Sequence, residues 1–394
     1  MNMKSIISVI IAIQGTIFSF GQNSINQVLA QIERNNPELK AVAAEVEAER
    51  LAGKAETLLA NPEVEFNYLW GAENIGSRHD LRVSQAFDIP TITGMKAGMA
   101  EGMGELASLK YKTERQAVLL EAKQACIDLV YCNAILAELR THLTQSNSLV
   151  SSYEKRMKAG ESTVLDLNKA RIHLTTVQGK ANRAEVERQT LLSTLRSLNG
   201  GREIDFDALT YDLEDSIPGD FETWFDEASQ DSPLLAYVRK QVELENRQLA
   251  IDKASRLPEL AVGYMSEIRT QEKFRGVTIG VNIPLWSAGN KIRQSQARLT
   301  AAKERRNSAE QKFFSDLRNQ YTKAYSMKDN SEMMRSSLKE TDSREFLLSA
   351  LSKGEISMID YLVEIDLYFE ALEATLEAER DYRHALASLT AYSL

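Results

Sequence analysis

Four histidines, two cysteines and eleven methionines carry the soft and borderline ligand chemistry of this 394-residue sequence. His79, His142, His173 and His384 are scattered along the chain without ligand spacing, so the sequence assigns none of them to metal. Cys126 and Cys132 fall six residues apart in one proline-free helical stretch. At 1.5 Å rise per residue their Cα atoms lie roughly 9 Å apart, beyond disulfide reach, and they read as buried thiols. Met95, Met99 and Met103 recur at i, i+4 and i+8 beside Gly94, Gly98 and Gly102. Thioethers in such a row suit Cu(I), but a Met stripe among small residues reads better as close helix packing. No phosphate loop, nucleophile motif or clustered His/Cys/acid set stands out, so neither an enzyme nor a cofactor site is expected. A formal charge of −9, with Lys and Arg interleaved among acids, argues against nucleic acid, whose phosphates require a basic patch.

The elements follow from patterning. Residues 1–21 read as a signal peptide: Lys4 gives a positive start, Ile6 to Phe20 an apolar run, Ser19 and Gly21 a small-residue cleavage site. No Cys follows that run, and acylation is not expected. No later stretch approaches the roughly 20 apolar residues of a transmembrane helix, so a membrane crossing must use strands. The remainder divides into two copies of one unit, residues 22–210 and 211–394, offset by about 195 positions. Asn36-Pro37 answers to Ser232-Pro233, each a capping side chain before a proline that can open a helix. Asn61-Pro62-Glu63-Val64 answers to Leu257-Pro258-Glu259-Leu260, Asp88-Ile89-Pro90 to Asn282-Ile283-Pro284, and Gly160-Glu161 to Gly354-Glu355.

Each unit switches from helical to period-two patterning and back. Val64, Phe66, Tyr68 and Trp70, then Leu81, Val83, Phe87 and Ile89, give a β-hairpin over about 63–90 with one apolar face. Leu260, Val262, Tyr264 and Ile268, then Val277, Ile279, Val281, Ile283 and Leu285, give another over about 259–286. The strands have the length, about 10 residues, that a tilted membrane strand requires. Proline-free stretches over about 95–158 and 290–353 predict helices near 95 Å long. Return helices are expected over about 162–198 and 356–391. The first carries a 3-4 seam of Leu167, Ala170, Leu174, Val177, Ala181, Ala184, Arg188, Leu191, Leu195 and Leu198, restated from Leu362 to Leu386 with Arg383 in the place of Arg188. A sustained 3.5-residue period predicts coiled-coil packing. Four membrane-length strands cannot close a barrel, and an open edge in lipid leaves backbone groups unpaired. Copies of the chain must share the barrel; three give twelve strands and room for a water-filled bore.

These features resemble the TolC family of outer-membrane efflux proteins. The resemblance rests on the signal peptide, the paired halves, the Asn-Pro-Glu starts, the Ser84-Gln85-Ala86-Phe87-Asp88-Ile89-Pro90 strand end, and the Gly-Glu-Ser-Thr-Val-Leu-Asp and Gly-Glu-Ile-Ser-Met-Ile-Asp turns, and it covers essentially the mature chain. It implies a mainly α protein with membrane β: a trimeric 12-stranded barrel continued by a periplasmic α-helical tunnel in the outer membrane of a Gram-negative bacterium. It implies docking to a periplasmic adaptor and an inner-membrane pump of the RND type. Asn61-Pro62-Glu63-Val64 and Ser84-Gln85 resemble the metal-cation and drug efflux branch more than the protein-secretion branch.

Gly160, Glu161, Gly354 and Glu355 then mark the periplasmic tip and its adaptor contact, besides serving as helix C-caps with positive φ. Asp360 stands where the resemblance implies an acidic ring at the periplasmic aperture, with Asp166 equivalent in the first unit. Val363 departs from the family pattern, which has a second acid there; Glu364 is adjacent but about 100° away on the helix. Both aspartates also suit the first turn of a helix. Tyr68, Trp70, Tyr264 and Trp286 are expected near strand ends, where they are candidate interfacial aromatics, although strand propensity explains them too. Two alternatives stay open: a type I protein-secretion duct, and a non-channel periplasmic coiled-coil structural or adaptor protein.

Overall fold

The computed structural model describes residues 24–71, 76–87, 90–212, 216–269, 272–283 and 288–394. The expected signal peptide, Asp88-Ile89 and Trp286 lie outside the described residues. The first half runs α1 (Ile25–Asn35), α2 (Pro37–Glu56), β1 (Glu63–Trp70), β2 (Ser77–Phe87), α3 (Pro90–Lys158) and α4 (Val164–Leu198). The second runs α5 (Phe221–Asp231), α6 (Pro233–Ala254), β3 (Glu259–Arg269), β4 (Lys273–Asn282), α7 (Ala288–Glu340), α8 (Arg344–Lys353) and α9 (Met358–Leu389), closing on a 3-10 turn at Ala391–Ser393. No described helix is long and apolar enough to cross a membrane.

The helix starts follow the capping chemistry of the sequence. Asn36 Oδ1 accepts the Leu39 amide at 2.9 Å, and Ser232 Oγ accepts that of Leu235 at 3.3 Å. In both, proline occupies the first helical position, where its missing N–H costs nothing. The same tolerance explains one correction: α3 opens at Pro90 rather than near Met95 and runs 69 residues, about 100 Å at 1.5 Å per residue.

A second correction concerns the other long rod. The expected helix over 290–353 is broken between Glu340 and Arg344. Thr341, Asp342 and Ser343 favour local hydrogen bonds over helix, and the Arg344 side chain secures the interruption. Its Nη2 contacts Asp342 Oδ2 at 2.8 Å, its Nη1 contacts Glu138 Oε2 at 3.2 Å, and its guanidinium lies 4.5 Å from the Tyr368 ring centroid. The hydrogen bond from Arg344 holds the Asp342 carboxyl below the usual carboxylate range. The return helices are also shorter at their starts than expected, because residues 161–163 and 355–357 form the turns that cap them.

The helices pack as long antiparallel partners, α3 with α4 and α2, α7 with α9 and α6. The widest core lies about midway along α3, where Leu119, Ala122, Cys126, Leu129 and Val130 meet Val28 and Ile32 of α1, Leu195 of α4 and the linker residues Ile204 and Phe206. Opposite it, Phe221 and Trp224 of α5 pack on Leu317 and Ala324 of α7 and on Ala385 and Leu389 of α9. The Trp224 indole N–H donates to the Tyr392 hydroxyl at 3.0 Å. Every residue of the α4 seam from Leu167 to Leu198 is buried or half-buried. At its polar break, Arg188 Nε donates to Asn133 Oδ1 at 2.8 Å across the seam, while its Nη1 pairs with Glu185 Oε1 at 3.4 Å on the same helix. Cys126 and Cys132 are buried free thiols; burial raises them to about 12 and about 11, which keeps them protonated and unreactive.

The Met95 row sits where glycines permit close approach. A Cβ at Gly102 would come within 2.5 Å of Leu244 Cδ2 of α6, and one at Gly98 within 3.3 Å of the Arg247 guanidinium. Helix packing is the structural use of this segment.

Candidate functional site

Three features stand out: a sheet, a pair of helical tips, and a histidine cluster between them. The two hairpins join into one antiparallel sheet of order β1-β2-β3-β4. Directly paired residues share a face. Val64 pairs with Val83, Val83 with Tyr264 and Tyr264 with Val277; Phe66 pairs with Leu81, and Val262 with Ile279. One face is therefore mainly apolar, interrupted by Gln85 and Ser266 and, toward the turns, by His79, Arg275 and Lys273. It is open to solvent in the single chain: Phe66 is 65% exposed, Val277 74% and Ile279 77%. Such a contiguous apolar area is far from the surface of a soluble monomer.

The opposite face carries charges and small residues. Arg82 Nη1 meets Glu65 Oε2 at 3.0 Å, and Arg78 Nε meets Asp80 Oδ1 at 3.0 Å and Glu267 Oε1 at 3.2 Å. Gly276, Thr278 and Gly280 line β4 on this side. At Gly263 a Cβ would sit 2.7 Å from both Thr278 Oγ1 and the Val83 carbonyl oxygen, so glycine lets three strands close up. Strands β2 and β3 run farther than the alternation implied, to Ser77 and Arg269, because charged residues near the turns pair with one another. Among the described residues neither β1 nor β4 has a second strand partner, so both edges of the sheet are open there.

The aromatic residues divide. Tyr68 and Trp70 lie at the end of β1, with ring centroids 5.3 Å apart, and Tyr68 stacks on His79 at 5.2 Å. Tyr264 stands in the middle of β3, opposite Val83 and Val277, which corrects its expected place at a strand end.

At the far end of the helices two turns repeat the same hydrogen bonds. Gly160 and Gly354 both have φ +77°. The Glu161 amide donates to the Arg156 carbonyl at 2.8 Å, and the Glu355 amide to that of Ala350 at 2.9 Å. The glycine amides donate to Met157 and Leu351 at 3.0 and 3.1 Å. Each turn is thus a Schellman cap that satisfies the last carbonyls of the descending helix. Three residues on, a capping box starts the return helix. Thr163 Oγ1 accepts the Asp166 amide at 3.1 Å, and Ser357 Oγ accepts that of Asp360 at 3.2 Å. In each, the aspartate carboxylate reaches back to the cap residue.

Those hydrogen bonds hold both aspartates below their usual carboxylate range, so each is charged at neutral pH. Glu161, Glu355, Asp360 and Glu364 are exposed, and Asp166 is half-buried. The tips pack against one another through Tyr153, Leu167 and Met358, while Val164, Leu165, Ile359 and Val363 leave apolar side chains in solvent. Replacing either glycine by alanine puts a Cβ into the left-handed region, at about 1–2 kcal/mol. Gly160→Ala and Gly354→Ala are expected to lower the denaturation midpoint modestly, and the double variant to add the two effects, measured by circular dichroism.

The third feature was not legible from spacing. Folding brings His142 of α3, His173 of α4 and Asp366 of α9 together, with one potential ligand atom of each within 4.8 Å of the others. His173 Nε2 is 3.1 Å from Asp366 Oδ1, and its Nδ1 is 3.4 Å from Ser146 Oγ. His142 stacks flat on Phe369 at 3.7 Å between centroids. Burial, then the neighbouring His173, pushes the His142 ring down to about 4 and keeps it neutral.

Comparison with known proteins places these features. Residues 224–393 match the family model described as outer membrane efflux protein. No curated protein matches the chain. Among solved structures, a membrane protein from Pseudomonas aeruginosa superposes with TM-score 0.79 at 15% identity, covering 93% of this chain and 89% of that one. The CmeC outer membrane channel of Campylobacter jejuni gives 0.77 at 14%, covering 94% and 85%. The open-state MtrE outer membrane channel of Neisseria gonorrhoeae gives 0.78 at 13%, covering 94% and 89%. The second half of the chain therefore resembles the outer membrane efflux protein model, and nearly the whole chain has the fold of outer membrane channels such as CmeC and MtrE.

Proposed function

We propose that the chain is one protomer of a homotrimeric outer-membrane duct that passively conducts solutes delivered by an inner-membrane pump of the RND type through a periplasmic adaptor. The observation that carries this reading is the sheet: one face mainly apolar and exposed, the other mainly polar, and both edges unpaired among the described residues. In lipid each unpaired backbone group costs several kcal/mol, and strands survive only in a closed barrel. Antiparallel order makes β4 of one copy a natural partner for β1 of the next, and three copies close twelve strands around a lumen lined by the polar face. The two units of the chain then supply alternate helical hairpins to a tunnel beneath that barrel. Small molecules or metal cations are the cargo class the duct serves, and the pump makes the selection.

The exposed apolar residues beside Gly160 and Gly354 suit an adaptor tip, with Glu161 and Glu355 at its rim. Asp360, with Asp166 and Glu364 nearby, supplies the acidic ring of the aperture, where symmetry multiplies each carboxylate and favours cations. Purified trimers in planar bilayers are expected to give discrete, cation-preferring conductance. A monomer, or a protein released from membranes without detergent, contradicts the reading and returns the chain to a periplasmic coiled-coil role. Asp360→Lys is expected to lower the cation preference in the same recordings. An unchanged reversal potential removes Asp360 from the aperture.

A further inference from the structure

We propose that His142, His173 and Asp366 form a binding site for a borderline divalent cation of the Zn2+, Co2+ or Ni2+ class, tying α3, α4 and α9 together inside the helical wall. Three observations carry it. First, the three residues come from three different helices, yet a ligand atom of each lies within 4.8 Å of the others. Closing on an ion at the usual Zn–N distance of roughly 2.0–2.1 Å takes shifts of less than about 1 Å per side chain. Second, His142 is only 3% exposed, and its Nε2 is buried with no hydrogen-bond partner among the described residues. A buried polar atom left without a partner is costly, and a cation supplies the missing one. Third, the surroundings orient the ligands. The flat stack on Phe369 fixes the plane of the His142 ring and leaves its edge free. Ser146 holds Nδ1 of His173, turning Nε2 toward Asp366.

The donor set selects the ion. Two imidazoles and one carboxylate favour Zn2+, Co2+ or Ni2+ over Mg2+ or Ca2+, which prefer all-oxygen sites, and over Cu(I), which prefers sulfur. Lys180 is the cation close by, and its Nζ is engaged by Glu373 at 3.6 Å. The Asp366 side chain is 56% exposed, so it opens the cluster to solvent and leaves a fourth position for water. His173 lies nine residues into α4 and Asp366 eight into α9, roughly 12–14 Å from the tip turns at 1.5 Å per residue. A bound ion there staples the two return helices to α3 just behind the tips.

The test uses the full chain, purified in detergent with an affinity tag that contains no histidine and stripped with a chelator. Adding Co2+ is expected to produce the visible absorption of a low-coordinate cobalt centre at one equivalent per chain, with Zn2+ displacing it. His142→Gln is expected to weaken Co2+ binding by at least about 100-fold, and Asp366→Asn by about 10–100-fold, both at unchanged elution volume. Because Asp366 is largely exposed, its variant keeps the test valid even where a buried histidine variant fails to fold. Zn2+ is expected to raise the thermal midpoint of the wild type and not that of Asp366→Asn. Co2+ binding that is absent at about 100-fold molar excess, or equal in wild type and Asp366→Asn, overturns the proposal.

Discussion

Ile365→Ala is expected to destabilise the tip half of each subunit by about 2–5 kcal/mol, the range for removing a buried isoleucine and leaving a cavity. Ile365 is fully buried, among Leu351 of α8 and Tyr361, Tyr368, Phe369 and Leu372 of α9. This cluster joins α8 to the return helix just above the break at residues 341–343. Guanidinium unfolding followed by helical circular dichroism should show the loss as a lower midpoint. Leu367, two residues away and 60% exposed, provides the contrast. In a monomeric chain Leu367→Ala changes stability by less than about 0.5 kcal/mol. Where a neighbouring subunit of the proposed trimer covers that face, the same substitution lowers trimer stability by more. The pair of variants therefore separates packing within a subunit from packing between subunits.

Ile279→Arg has the largest expected effect on assembly. Ile279 is 77% exposed on the apolar face of β4, opposite Val262. Arginine on the lipid face of a membrane barrel costs about 2–4 kcal/mol near the bilayer midplane, and three-fold symmetry imposes that cost three times. The variant should fail to accumulate in the outer-membrane fraction. Asn67→Lys adds charge to the other face, where Asp80 stands directly across from Asn67 and Glu65 is 3.0 Å away. It should assemble normally and alter conductance alone. If both variants assemble equally well, the apolar face does not meet lipid.

Much of this arrangement was legible in the sequence because it rests on local rules. Asn36 and Ser232 cap helices through short-range hydrogen bonds, and Gly160 and Gly354 have the positive φ that their place after a long helix implied. The alternation of β1 to β4 and the seam of α4 also follow from periodicity, which the chain displays directly. What escaped depends on contacts between distant segments. The break after α7 is secured by Glu138, 206 residues from Arg344. His142, His173 and Asp366 lack any shared spacing, since His173 and Asp366 are 193 residues apart and meet only because α4 and α9 lie side by side. Tyr264 already sits midway between Leu260 and Ile268 in the alternation, so its place in the middle of β3 follows from strand length and not from any distant contact.

The central claim, that β1 of one chain completes the sheet of its neighbour at β4, is open to a direct measurement by cysteine cross-linking in isolated outer membranes. Within one chain these strands are opposite edges of the sheet, roughly 14 Å apart at about 4.8 Å per strand, so no disulfide can join them internally. With Cys126 and Cys132 replaced by alanine, Asn67→Cys is combined in turn with Gly276→Cys, Thr278→Cys and Gly280→Cys to scan the register. A barrel shared by three chains requires at least one pair to oxidise to a covalent ladder ending at the trimer, and none of the single cysteines to do so. A ladder that ends at the dimer, or chains that remain monomeric in every register, would contradict it.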